Sequence, residues 1–293
     1  MTDLAEILAA YLLGFAVAAL LWAGGRRIFA GPVFERRNYR DHPLPTAVGA
    51  LLPVAAAAVV GIHIAVFDLW RSVFGAGSTG WSALNDHATT TMALALAFAF
   101  LGLVDDLGGR GESGGFTGHL KALFEGRITT GLIKLVGGPL FALVIIAGGP
   151  TPSGRVGHLR DAALVCLAAN LANLFDRAPG RVNKVGHLAF VVLALAALDA
   201  RLVPVALVVG AAGALLSGDL REQFMLGDSG SNVLGAVLGY GVVITTAIST
   251  RWIVIAVLLA LNLVSEVVSF SRVIDGAWPL RRLDRLGSPH RPG

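Results

Sequence analysis

Long apolar runs alternate along the chain with short clusters of charged, glycine and proline residues. The runs are roughly 16 to 22 residues long, enough for a helix to cross about 30 Å of hydrocarbon. Read between the polar breaks, they predict nine spans at about 7–23, 47–69, 88–104, 129–148, 159–175, 186–200, 202–217, 232–249 and 252–271. The expected fold class is therefore all-α: a polytopic integral membrane protein of about nine transmembrane helices. Residues 1–271 form a single domain in this reading, and 272–293 a short basic tail. Trp22, Trp70 and Trp252 fall at span ends, where an amphipathic indole sits comfortably at the membrane–water boundary. The first run follows Asp3 and Glu6 with no basic residue before it. A cleaved signal peptide would begin with positive charge, so this run is expected to be a retained helix. No fixed-period repeat and no low-complexity segment interrupts the pattern.

The loops give the orientation. One alternating set holds seventeen of the 23 Lys and Arg, including Arg26, Arg27, Arg36, Arg37, Arg40, Arg110, Lys121, Arg177, Arg181, Arg221 and Arg272. The opposite set holds only Arg71, Arg155, Arg160, Arg201 and Arg251, with Lys134 inside a span. The positive-inside bias then places the N-terminus outside and the C-terminus in the cytosol, as an odd number of spans requires. Composition agrees: 55% of residues are hydrophobic and 14% charged, whereas a soluble domain carries about a quarter charged residues. The pI near 9.7 does not indicate a nucleic-acid partner, because net charge is only +4 and the basic residues flank spans instead of forming a stripe. Cys166 is the single cysteine, which excludes disulfides and CxxC sites.

Acidic residues do not set orientation, yet the motif-like ones all fall on the cytosolic side. Asp105 and Asp106 end the third span, Asp176 ends the fifth, and Asp219 and Asp228 precede the eighth. Three chain segments thus converge on one face. A cluster of carboxylates at an interface is costly, and a hard cation held by oxygen ligands relieves it; magnesium with a phosphate-bearing substrate is the natural candidate. The segment Gly227, Asp228, Ser229, Gly230, Ser231 lies just before the eighth span. It suits close approach of a phosphate to a helix N-terminus, or equally a tight turn and N-cap. Lys121 lies beside the acids and can neutralise a phosphate, while Lys134 either does the same or snorkels.

The blocks Asn38-Tyr39-Arg40-Asp41-His42-Pro43-Leu44-Pro45-Thr46, Val104-Asp105-Asp106-Leu107, Asn170-Leu171-Ala172-Asn173-Leu174-Phe175-Asp176 and Leu226-Gly227-Asp228-Ser229-Gly230-Ser231 occur in this order over about 190 residues. In sequence and topology they resemble the polyprenyl-phosphate phosphosugar transferases, glycosyltransferase family 4 in older naming. The resemblance implies transfer of a sugar 1-phosphate from a nucleotide sugar, typically a UDP-sugar, to undecaprenyl or decaprenyl phosphate in cell-envelope synthesis, with Mg2+ as cofactor. It further implies a bacterial plasma-membrane location with the site facing the cytoplasm, and it allows a homodimer. By motif position, Asp105 resembles the base or orienting group for the lipid phosphate, with Asp106 beside it, and Asp228 the principal magnesium ligand. Asp176 with Asn170 and Asn173 resembles the asparagine-rich nucleotide-sugar motif. Lys121, with Gly227, Ser229, Gly230 and Ser231, stands at substrate-binding positions. The alternative is an inactive relative that binds polyprenyl phosphate or regulates its synthesis.

The sequence also departs from that pattern. Asp176-Arg177-Ala178-Pro179-Gly180 carries proline where the family has a second acid. Met225 stands where an aromatic residue often stacks on the base, with Phe224 one position away, and the histidine-rich loop is replaced by Arg281, Arg282, Leu283, Asp284 and Arg285, with no tenth span after it. Altered nucleotide or sugar specificity is the expected consequence. Glu266, inside the ninth span, either borders a lipid-phosphate groove or pairs with Arg272. His42, His63, His119 and His187 lack the spacing of a zinc site.

Overall fold

The computed structural model describes residues 2–74, 83–109, 122, 125–126, 128–151 and 153–289. Nine long helices account for most of them: α1 (Thr2–Gly25), α2 (Leu51–Phe74), α3 (Ala83–Gly108), α4 (Thr130–Ala147), α5 (Arg155–Phe175), α6 (Arg181–Ala197), α7 (Val203–Leu220), α8 (Asp228–Thr245) and α9 (Ile248–Val267). Each corresponds to one apolar run of the sequence. Six of them (α1, α2, α3, α4, α7 and α9) are long and apolar enough to cross a membrane. The other three fall short for visible reasons: α5 carries Arg155, Arg160 and Asp161, α6 has 17 residues, and α8 opens on the polar run from Asp228 to Asn232.

Helices α7 and α8 form the interior. The α7 residues from Val203 to Ala212 and most of α8 are buried, whereas α9 buries only Ile255 and Asn262. On the outer helices the exposed side chains are themselves apolar, among them Leu20, Ile62, Leu140, Val144, Ile253 and Leu263. An apolar exterior of this extent is the signature of association with a bilayer. Where exterior and interior are equally apolar, close helix contact depends on small residues. A Cβ at Gly14 of α1 would lie 2.0 Å from the Leu207 carbonyl oxygen, and one at Gly210 of α7 would lie 2.0 Å from that of Tyr11. The two backbones therefore touch directly. Polar contacts tie α6 to both helices: the half-buried Tyr11 hydroxyl lies 3.0 Å from His187 Nε2, and the buried Asn183 Nδ2 donates to the Ala212 carbonyl at 2.7 Å.

Beyond α9 the chain forms two short helices, α10 (Phe270–Gly276) and α11 (Trp278–Arg285). Between α1 and α2 a small antiparallel hairpin pairs β1 (Glu35–Arg37) with β2 (Pro43–Pro45), Arg36 opposite Leu44. The hairpin is joined to the loop before α8, since the Met225 N–H donates to the Pro45 carbonyl at 2.7 Å and the Gly49 N–H to the Leu226 carbonyl at 2.9 Å. One end of the bundle is thereby assembled from the two segments richest in motif residues.

Candidate functional site

The acidic cluster arises where the C-terminal end of α3 meets the N-terminal end of α8. Gly102 permits the approach, because a Cβ there would lie 2.3 Å from the Asp228 carbonyl. The first turn of any helix leaves N–H groups without intrahelical partners. In α8 two of them are satisfied from another helix: Asp228 N donates to Asp106 Oδ1 at 2.9 Å and Ser229 N to Asp106 Oδ2 at 3.0 Å. Asp106 is thus a tertiary cap, its two carboxyl oxygens each taking one N–H of the first turn. Gly227, at φ +76°, makes room for it; a Cβ there would meet Asp106 Oδ2 at 2.6 Å.

Beside this cap stands a charged triad. Lys134 Nζ, from the first turns of α4, donates to Asp105 Oδ2 at 3.2 Å and also to Asp228 Oδ2. Asn173 Nδ2, from α5, donates to the same Asp228 oxygen at 3.1 Å. Four helices therefore contribute one side chain each: Asp105, Lys134, Asn173 and Asp228. Asn170, one turn before Asn173, instead donates to Asn262 Oδ1 at 2.6 Å, and Asn262 Nδ2 donates to the Leu167 and Leu258 carbonyls at 3.1 and 2.8 Å. It ties α5 to α9.

Asp176 is the C-cap of α5, three residues beyond Asn173, and lines a cavity with these residues. Burial, then the carboxylates of Asp219, Asp228 and Asp106, push its carboxyl well above the usual carboxylate range. The cavity has a volume of about 1090 Å³. It is lined by Asp105, Asp106, Lys134, Asn170, Asn173, Asp176, Gly227 and Asp228 and, on helices α3, α4 and α5, by the apolar Phe98, Leu101, Leu135 and Leu167. Glu266 also lines it, on the α9 side.

Ser229, Gly230 and Ser231 are buried in the first turn of α8 and do not line the cavity. Lys121 lies outside the described residues, as does His119. Phe224 is only 1% exposed and packs on Trp22, ring centroids 4.4 Å apart, and it lines the cavity together with Met225 and Pro179.

Sequence reasoning left Lys134 undecided and passed over Glu222 altogether. Glu222, 8% exposed and at φ +52°, lies in the loop before α8. Its carboxylate accepts from Asn38 Nδ2 at 2.7 Å, Tyr39 Oη at 3.1 Å, and Arg40 Nε and Nη2 at 3.0 and 2.7 Å. It fastens the 38–40 turn of the hairpin over the cavity, where Arg36, Arg37, Asn38 and Tyr39 form part of the lining. The sequence signal was slight: an acid directly after Arg221 in a short loop reads as a solvated neighbour pair.

No group of three or more His, Cys, Asp or Glu side chains is gathered to hold a metal among the described residues. The donor chemistry nevertheless suits a hard cation, since Mg2+ is commonly bound by one or two carboxylates with phosphate oxygens and water completing its shell. Asp105 and Asp228 supply two such carboxylates, and the Lys134 ammonium occupies the point on which they converge. No protein-family model matches the chain, and no curated protein matches it.

Proposed function

We propose that the chain is a membrane phosphosugar transferase that moves a sugar 1-phosphate from a nucleotide-diphosphate sugar, a UDP-sugar first among them, to polyprenyl phosphate. The observation carrying this reading is the placement of Lys134 between Asp105 and Asp228 in a cavity that apolar side chains, among them Phe98, Leu101, Leu135 and Leu167, also line. Such a site offers cationic and carboxylate groups to phosphates and apolar side chains to a lipid tail. In the reaction a phosphate oxygen of the lipid attacks the sugar-bearing phosphorus, the bond to the nucleoside monophosphate oxygen breaks, and the monophosphate leaves. Asp105 orients the attacking phosphate, Lys134 neutralises phosphate charge, and Asn173 holds Asp228 in position. When bound, Mg2+ on Asp228 and Asp105 would neutralise the diphosphate oxygens. For such transfers, positioning and electrostatics supply most of the catalysis.

This reading takes all nine long helices as spans, the N-terminus outside and the cavity open to the cytosol of a bacterial plasma membrane, in a monomer or a homodimer. The 176–180 loop, with Pro179 in the cavity wall, contributes to choice of base. A second reading has one observation in its favour: Lys134 already satisfies the carboxylates that a metal would use. On that reading the chain binds polyprenyl phosphate without turnover. Detergent-purified protein with undecaprenyl phosphate and a panel of UDP-, CDP- and GDP-sugars separates the two. Magnesium-dependent release of nucleoside monophosphate supports the transferase; retention of the lipid without release from any donor supports the binding protein.

A further inference from the structure

Helix α11 is fastened to the bundle along one side and presents the rest of its surface outward. Arg181 Nε and Nη2 donate to Asp284 at 2.7 and 2.9 Å, with both side chains buried. Lys184 Nζ donates to the carbonyls of Leu283, Asp284 and Leu286 at 3.2, 2.6 and 3.0 Å, where the negative end of the helix dipole lies. The helix is therefore held in place by the bundle itself. On its outward surface, Leu280 and Leu283 are one turn apart, with Leu286 just beyond, and they are 47%, 63% and 65% exposed. Helical spacing puts Trp278, Arg281, Arg282 and Arg285 together on another side. The Arg282 guanidinium lies 5.6 Å from the Trp278 ring centre, and Trp278 is 60% exposed. Asp275, the nearby acid, sits 3.5 Å from Arg285.

Arg181 immediately follows the 176–180 loop of the cavity wall, so α11 lies at the same end of the bundle as the acidic site. A leucine side and a basic, indole-bearing side on one rigid helix are the makings of an interfacial helix. We propose that α11 lies in the membrane interface at the cavity end and binds anionic phospholipid headgroups. Leu280, Leu283 and Leu286 enter the acyl boundary, and Arg281 and Arg282 meet lipid phosphates. Charge complementarity selects this occupant, since a guanidinium matches phosphate oxygens in geometry as well as charge, and an indole is favoured at headgroup depth.

The full chain in lipid nanodiscs provides the test, independent of any enzymatic activity. The Trp278 signal is isolated by subtracting the fluorescence of Trp278→Phe from that of the wild type. Quenching by a headgroup-nitroxide lipid is expected, stronger by at least about twofold when the nitroxide is carried on an anionic lipid than on a zwitterionic one. The double substitution Arg281→Gln, Arg282→Gln should abolish that preference while leaving quenching in place. Absence of quenching would mean that the face looks to water or is covered by protein, and would overturn the proposal. Equal quenching by both lipids in the wild type would overturn the anionic selectivity, whether or not the arginine variant folds.

Discussion

Asp106 reaches the backbone of Asp228 only because residue 227 has no side chain: a Cβ on Gly227 would lie 2.6 Å from Asp106 Oδ2, the oxygen that accepts from the Ser229 N–H. The pair Asp105 and Asp106 therefore divides by geometry. One carboxylate is committed to the fold and the other meets Lys134 in the cavity. Asp106→Ala is expected to cost about 1–2 kcal/mol, as lost caps do, with a lower midpoint of thermal unfolding in detergent. Asp105→Ala should leave that midpoint nearly unchanged while removing activity. Equal midpoint losses in the two variants would contradict the division.

Lys134 holds two carboxylates that would otherwise face each other without a counter-charge. Replacing it with methionine should therefore strengthen Mn2+ binding to the substrate-free protein, read by electron paramagnetic resonance. Turnover should fall by about 100-fold or more, as is usual when a charge-stabilising group is removed. Weaker Mn2+ binding in Lys134→Met would show that the lysine does not compete with metal for these oxygens.

Glu222 acts on the cavity through the hairpin turn, accepting from Asn38, Tyr39 and Arg40. It is a positioning residue. Glu222→Ala should raise KM for the nucleotide sugar by about tenfold with kcat reduced far less, the pattern of lost ground-state positioning. It should also speed proteolysis within residues 36–42. Glu222→Gln retains an acceptor and is expected to restore part of both. An unchanged proteolysis rate in Glu222→Ala would rule out the fastening role.

Asp176 has its carboxyl raised well above the ordinary range by burial and neighbouring carboxylates. A raised carboxyl pKa means that the folded state binds the proton more tightly than the unfolded chain does. Its stability contribution is then most favourable below the unfolded pKa and is lost as pH rises towards the folded one. Asp176→Asn, permanently neutral, should gain thermal stability over wild type from mildly acidic to mildly alkaline pH, with the gain growing as pH rises. A difference that stays constant with pH would contradict this.

The nine long helices were legible because each follows an apolar run, and the six runs of membrane-crossing length and hydropathy have few alternative structures. The convergence of Asp105, Asp176 and Asp228 was legible from the side of the bundle on which each falls. Side-chain direction was not. Asn170 and Asn173 share a face by spacing, yet Asn170 bonds Asn262 of α9 and only Asn173 reaches Asp228; the position of α9 decides this, and spacing within α5 carries no trace of it. Lys134 and Glu222 were obscure for a related reason. Each is a lone charge whose partners lie on other segments, at Asp105 and Asp228 for the first and at 38–40 for the second. The α11 helix escaped notice because eight residues rich in arginine read as a tail, and its anchor, Arg181, is about a hundred residues away in sequence.

The most direct test of the central claim is nucleoside monophosphate release by purified protein supplied with undecaprenyl phosphate and single nucleotide sugars, with and without Mg2+, alongside Asp228→Asn. The expected result is Mg2+-dependent release from one donor, absent without the lipid and absent in the variant. Release that persists in Asp228→Asn, or no release from any donor while family transferases work in the same assay, would contradict the account.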